Sequence, residues 1–386
     1  MTPKTTSPGR ASPSAREESL CLLAEGLAGA AEYEGPPAVL TGEGRILALG
    51  DQALAAGAPL RRLEGLWLAP APIDAHVHLW LGGRAEDNLR AWQQAGVAAV
   101  RDMGHSPARP APRPVPGQPP LLRAAGVGLG AEGEAASWLA EGLAGAAAFA
   151  AAARARARAG AGLIKVFATG LLDFQRPGQV QHPLAVGRED LAAVVGVARE
   201  AGLSVAVHAS GVETVRAAVE AGVTSIEHGF FLDRATLELM AARGVAWVPT
   251  LAAVQAHAED PEGRHPPRIR DNLRRIVRSQ AAAIRRAEEL GVELVVGSDA
   301  GSYGLAHGQA LRREMGAWLE AGLSPRTVFA ASTQRAARLL GLEGEVGMIA
   351  VGARAWLWAW EGDPRREGTG LRGGPLGWSF GRGGGA

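Results

Sequence analysis

The sequence predicts an α/β chain whose parallel strands close as a (β/α)8 TIM barrel, and three observations predict it. Helical patterns end at a glycine followed at once by a β-prone run in Ala95-Gly96-Val97, Ala201-Gly202-Leu203, Ala221-Gly222-Val223, Arg243-Gly244-Val245 and Leu290-Gly291-Val292. Glycine just past a helix end accepts the left-handed conformation that closes the last turn, so each is a short helix-to-strand connection and the repeat implies a parallel sheet covered by helices. Candidate strands at 67–73, 97–101, 121–127, 163–167, 204–207, 225–227, 246–249 and 293–297 make eight, the number that closes such a barrel. Finally, chemically reactive side chains recur at or just past the ends of those strands, where barrel active sites gather.

Taken in order, residues 1–18 are rich in Ser, Thr, Pro and charge and read as a disordered tail. The apolar run that follows, Leu20 to Leu23, is too short for a signal segment. Short apolar runs between glycine-rich turns from Glu32 to Gly50 read as small hairpin strands. The third barrel strand has the weakest pattern, because 107–120 is a proline-dense loop and 126–133 has no clear period. Ser324-Pro325 is an N-cap with proline at the first helical position, opening a helix through Leu340. Residues 268–290 carry apolar side chains at helical spacing, with arginine-rich faces that read as solvated. Trp356, Trp358 and Trp360 alternate as on a strand with one apolar face, and 368–386 is glycine-rich.

Composition narrows the function. A net charge of +1 gives no electrostatic case for nucleic acid or an acidic membrane as partner. No segment approaches the apolar length of a membrane span, and Cys21 is the only cysteine, so a cytoplasmic, reducing location is expected. A small-molecule substrate and a possible homo-oligomer are the expected partners. Of the 40 Lys and Arg residues only Lys4 and Lys165 are lysines. An internal lysine in an arginine-using chain points to amine chemistry that a guanidinium cannot do, although chance or packing would leave the same trace.

In Pro70-Ala71-Pro72-Ile73-Asp74-Ala75-His76-Val77-His78, the two histidines stand two residues apart on an extended strand and face the same way. They can bind one metal ion together; two histidines on an ordinary polar face is the alternative. His208 and His228 end the fifth and sixth strands, Asp299 follows the eighth, and Lys165 lies on the fourth. Four imidazoles, a carboxylate and a lysine suit two divalent ions, provided the lysine becomes an anionic carbamate with CO2.

These segments, with Val100-Arg101-Asp102-Met103-Gly104, Ile164-Lys165-Val166-Phe167, Ser225-Ile226-Glu227-His228-Gly229, Val248-Pro249-Thr250-Leu251 and Gly297-Ser298-Asp299-Ala300-Gly301, resemble the amidohydrolase superfamily in its imidazolonepropionase-like and Xaa-Pro dipeptidase-like branch. The resemblance implies a binuclear metal-dependent hydrolase that cleaves a C–N bond by a metal-bridging hydroxide. His76, His78 and Asp299 would hold the more buried ion, His208 and His228 the other, and a carbamylated Lys165 would bridge both. Zinc is the expected ion, and Asp299 would carry the proton to the leaving amine. The resemblance also implies a small β-sandwich domain built from 19–65 and 343–386 around a barrel at 66–342.

Departures bear on substrate. A Gly-Gly-His loop of relatives is replaced by Gly130-Ala131-Glu132-Gly133-Glu134, and Phe230 and Phe231 stand where a polar contact is expected, which suggests a more apolar pocket. His307 is a candidate substrate contact. His182, His257 and His265 read as surface residues, and His105 is undecided. The same ligand set would serve a lactonase or ester hydrolase, and a non-catalytic scaffold retaining the fold is the third reading.

Overall fold

The computed structural model describes residues 19–29, 33–133 and 138–366. The expected N-terminal tail and the glycine-rich end lie outside them, as does Glu134. Two parallel sheets dominate. One runs Ile73–Val77, Ala99–Asp102, Leu121–Ala124; the other runs Ala140–Leu143, Gly128–Ala131, Ile164–Phe167, Val205–Ala209, Ser225–His228, Ala246–Val248. Helices such as Arg188–Glu200 and Val212–Ala221 connect consecutive strands and pack their apolar stripes on the sheet. Gly96, Gly202, Gly222, Gly244 and Gly291 all have positive φ, as the connection chemistry requires.

The eighth expected strand, 293–297, is instead an irregular segment that stitches the two sheets together. Trp247 N donates to Glu293 O and Val295 N to Trp247 O on one side; Ala75 N donates to Val296 O and His78 N to Ala300 O on the other. The approach is too close for any side chain at Gly297: a Cβ there would stand 2.5 Å from Val248 Cγ1 and 2.7 Å from His76 Cβ.

The first expected strand divides in two. Leu66–Pro70 pairs antiparallel with Leu357–Glu361, and only Ile73–Val77 joins the parallel sheet. Pro70 and Pro72 lack the amide hydrogens that a continuous ladder would need, so the chain changes sheets between them. The weak third strand ends at Ala124, and a further strand, Gly128–Ala131, follows it. Its glycines hid it from pattern reading; a Cβ at Gly128 would lie 2.5 Å from the Phe167 ring, so packing of that ring demands glycine. The helix expected from Ser324 to Leu340 breaks at Thr333, because the Ser332 and Thr333 hydroxyls both donate to Phe329 O.

Two small sheets form from the ends of the described chain. One orders Arg45–Leu49, Ala38–Gly42, Leu20–Leu23, Leu60–Arg62; the other orders Leu357–Glu361, Leu66–Pro70, Gly26–Leu27. Leu22, Ile46, Leu68 and Leu357 share one core between them. The Trp strand has two apolar faces rather than one. Trp356, Trp358 and Trp360 pack on the main core while Leu357 and Ala359 face the small one. Among the described residues no helix is long and apolar enough to cross a membrane.

Candidate metal centre

The residues singled out from sequence converge at the C-terminal ends of the parallel strands. The rings of His78, His76, His228 and His208 follow one another with centroids 5.4, 4.9 and 4.6 Å apart. Asp299 Oδ1 lies 3.4 Å from His76 Nε2 and 3.5 Å from His78 Nε2. Ligand atoms of these three residues fall within 4.8 Å of one another, the spacing of a shared cation.

Each imidazole has one nitrogen committed. His76 Nδ1 donates to Glu227 Oε2 (2.7 Å), His78 Nδ1 to Gly104 O (3.1 Å) and His208 Nε2 to Gly170 O (3.3 Å). Since carbonyl and carboxylate oxygens only accept, each of these bonds sets the tautomer and leaves the opposite nitrogen with its lone pair. His228 Nδ1 pairs with Thr250 Oγ1 at 2.7 Å. Burial, helped by neighbouring Lys165 and other cationic groups, pulls all four below the usual imidazole range, His78 to about 4 and His208 to about 3. Neutral imidazoles with an oriented free nitrogen are what a cation requires.

Lys165 is 1% exposed, and its Nζ has no hydrogen-bond partner. Burial lowers its pKa to about 8, against the pull of Glu227. His76 Nε2 is likewise buried without a hydrogen-bond partner. Orphaned polar atoms are costly in a folded interior; a bound cation would satisfy the lone pair of His76 Nε2, and Lys165 would join it as a ligand only as an anionic carbamate, so the donor set fits a metal centre on that condition. Burial also raises the Asp299 carboxyl to about 7.

A layer behind these groups was not singled out from sequence. Glu227 is fully buried; its Oε1 accepts from Arg101 (2.8 Å) and from Ser225 Oγ (2.6 Å), while Arg101 Nε also donates to Ala75 O. Asp74 accepts from the amides of His76 and Ser298 and from Ser298 Oγ, tying the Asp299 segment to the first parallel strand. A charged residue inside an otherwise apolar strand run, as at Arg101 and Glu227, is the sequence signal that could have found them. His228, Thr250 and Asp299 are three of the eight described non-glycine residues that hold positive φ, so the centre carries part of the chain's backbone strain.

Thr250 is positioned in turn by Glu314. The Glu314 carboxylate accepts from Leu251 N, Ala252 N and Trp318 Nε1, closing the N-terminus of helix Leu251–Glu259. Burial raises its pKa to about 7 against those three donors. Glu314→Ala strands all three, so a loss of about 3 kcal/mol in urea unfolding is expected, at roughly 1 kcal/mol per orphaned donor. Thr250→Val keeps shape but frees the His228 ring, and an approximately tenfold weaker retention of the less tightly held ion, measured by chelator competition, is expected.

His307 is buried with both nitrogens engaged: Nδ1 accepts from Trp92 Nε1 and Nε2 donates to Leu81 O. It is not among the residues lining the cavity before the centre. His105 is buried, with Nδ1 bonded to Ser106 O, and His182 is exposed. His257 and His265, expected at the surface, are half-buried and bonded to each other, because the polar loop that carries them folds over Tyr303.

The sequence profile of the amidohydrolase family matches residues 67–374. An uncharacterized protein of Mycobacterium tuberculosis is 30% identical over 156 residues, 40% of this chain and 41% of that protein. The chain therefore spans about two fifths of the length of the curated relatives it matches. Among solved structures, a Xaa-Pro dipeptidase with methionine in its active site is similar with a TM-score of 0.75 at 24% identity, over 92% of this chain and 96% of that one. The A. niger ochratoxinase is similar with a TM-score of 0.74 at 19% identity, over 92% of each chain. At such identities the likeness is one of fold.

Proposed function

The chain belongs to the amidohydrolase family, and from that membership we propose a metal-dependent hydrolase that cleaves a C–N bond beside a carbonyl in a small molecule. In this reading His76, His78 and Asp299 would hold one divalent ion, His208 and His228 would hold a second, and Lys165 as its carbamate would be a ligand they share. The observation that carries the reading is the set of four imidazoles, each with one nitrogen tied back and the other left bare, around a buried lysine without a hydrogen-bond partner.

Bound divalent ions, zinc by expectation, supply Lewis-acid polarisation of the carbonyl and water that ionises near neutral pH. The protein's own groups do the rest. The Lys165 ammonium would first lose one proton, and the uncharged amine would then attack the carbon of CO2 and shed a second, which would replace a buried cation with an anionic carbamate. Asp299 accepts a proton at its carboxylate and passes it to the leaving nitrogen. Glu227 and Arg101 keep the His76 ring in register, and the Asp74–Ser298 clamp keeps Asp299 opposite it.

The parallel sheets, joined through 293–300, are read as a (β/α)8 barrel at 66–342. Residues 19–65 and the described part of 343–386, up to Arg366, are read as the two halves of a small β-sandwich domain. A reducing, cytoplasmic setting goes with the lone cysteine. Elemental analysis of protein purified without chelator tests the centre: about two equivalents of metal per chain are expected, and less than one would overturn it. Turnover of anilides, dipeptides and lactones by the loaded protein then tests the bond cleaved; hydrolysis of lactones alone would overturn the C–N assignment.

A further inference from the structure

The cavity of about 390 Å³ in front of the metal centre is walled by carbon. Leu139, Phe167, Leu172, Phe174, Phe230 and Val254 line it, no arginine or lysine is among the described lining residues, and Asp299 is the one carboxylate. Each of its two serine hydroxyls already makes one hydrogen bond. Ser210 Oγ accepts from the Phe230 amide and Ser302 Oγ donates to the Asp299 carbonyl oxygen.

Outside the metal centre the Trp138 indole, 49% exposed, and the Ser210 hydroxyl keep a donor, but the polar lining side chain held by a frame of its own is His257. Its Nδ1 pairs with His265 Nε2 at 2.9 Å, and its ring stacks on Tyr303 at 4.8 Å. Tyr303 donates to Asp260 Oδ1, and the Asp260 carboxylate also accepts from the amides of Arg264 and His265, so the imidazole pair sits in a built frame. Nε2 of His257 has no partner among the described residues. Burial, then the neighbouring His265 and Arg264, pulls His257 to about 4, which leaves the wall without positive charge near neutral pH.

We propose that the site selects an uncharged carboxamide bearing an aryl or branched alkyl group, and that His257, steered by His265, is the specificity-determining hydrogen-bond partner of that substrate. A substrate carboxylate would surrender its water to a wall that offers no cation, whereas an aryl group gains by leaving water. The inference rests on the hydrolase reading for its reaction, but not for its binding preference.

Ketone isosteres, with CH2 in place of the amide N–H, cannot be hydrolysed and isolate binding. (4-Methylphenyl)acetone is expected to bind the full chain, as purified with its metal, at least tenfold more tightly than (4-carboxyphenyl)acetone in calorimetric titration. Equal or tighter binding of the carboxylate would overturn the proposal. His257→Phe should weaken the methyl ketone at least fivefold and leave p-xylene, which has no hydrogen-bonding group, unchanged, while His257→Gln should restore part of the loss. Unaltered ketone affinity in both variants would remove His257 from the assignment. The matching acetanilides test turnover separately: if the ketones discriminate and neither anilide is cleaved, the hydrolase reading fails and the binding preference stands.

Discussion

Lys165→Met is expected to cost the protein its second metal ion and at least about a thousandfold in kcat/KM, while making the metal-free fold more stable. The two effects have one cause. Lys165 lies within strand Ile164–Phe167, 1% exposed, with no hydrogen-bond partner for Nζ and with the Arg101 guanidinium adding repulsion. Its pKa falls from 10.5 to about 8. At about 1.4 kcal/mol per pH unit this corresponds to a penalty of about 3 kcal/mol, which methionine of similar length removes. The sign with pH follows from linkage. Below pH 8 the amine is charged in both states and the penalty is complete; between about 8 and 10.5 the folded state releases its proton first, so wild-type stability rises. The advantage of the methionine variant should therefore be greatest below pH 8 and shrink above it, as urea unfolding of chelator-treated protein will measure. Elemental analysis reads the other half, and two ions retained in Lys165→Met or in Lys165→Arg would refute a bridging lysine.

Glu227→Gln should weaken metal retention about 10- to 100-fold and destabilise the fold by about 3–5 kcal/mol. Glu227 is the single buried anion against which both His76 Nδ1 and Arg101 are set, with Ser225 Oγ completing its oxygens. An amide cannot accept from both sides, and its NH2 would face a donor wherever it turned. Most of the stability loss belongs to Arg101, left as a cation in the core. Arg101→Met combined with Glu227→Gln should recover much of that stability without recovering the metal, because only the first loss comes from the stranded charge. Chelator competition and urea unfolding on the single and double variants separate the two; an unchanged metal affinity in Glu227→Gln would show that the His76 ring needs no anchor.

Periodicity and turn chemistry made most of the strands and helices legible. They failed at particular residues for particular reasons. Proline at 70 and 72 divided one strand between two sheets, which a run of apolar letters cannot reveal. Gly128–Ala131 forms a strand because Phe167 fills the space its side chains would need, a fact that resides in a residue 39 positions from Gly128. Thr333 ended a helix through its hydroxyl bond to Phe329 rather than through poor propensity.

By itself the sequence determined the chemistry on offer: which side chains can ligate, that two histidines share a strand face, and that one internal lysine stands alone among arginines. Strand alternation and residue type are local, so they survive without coordinates. Only the tertiary structure decided which nitrogen of each imidazole is spoken for, that Glu227 and Arg101 stand behind His76, that His307 is consumed by Trp92 and Leu81, and that His257 faces an apolar cavity. Those facts depend on hydrogen bonds spanning up to more than two hundred residues, and such partners are set by how the strands are laid side by side.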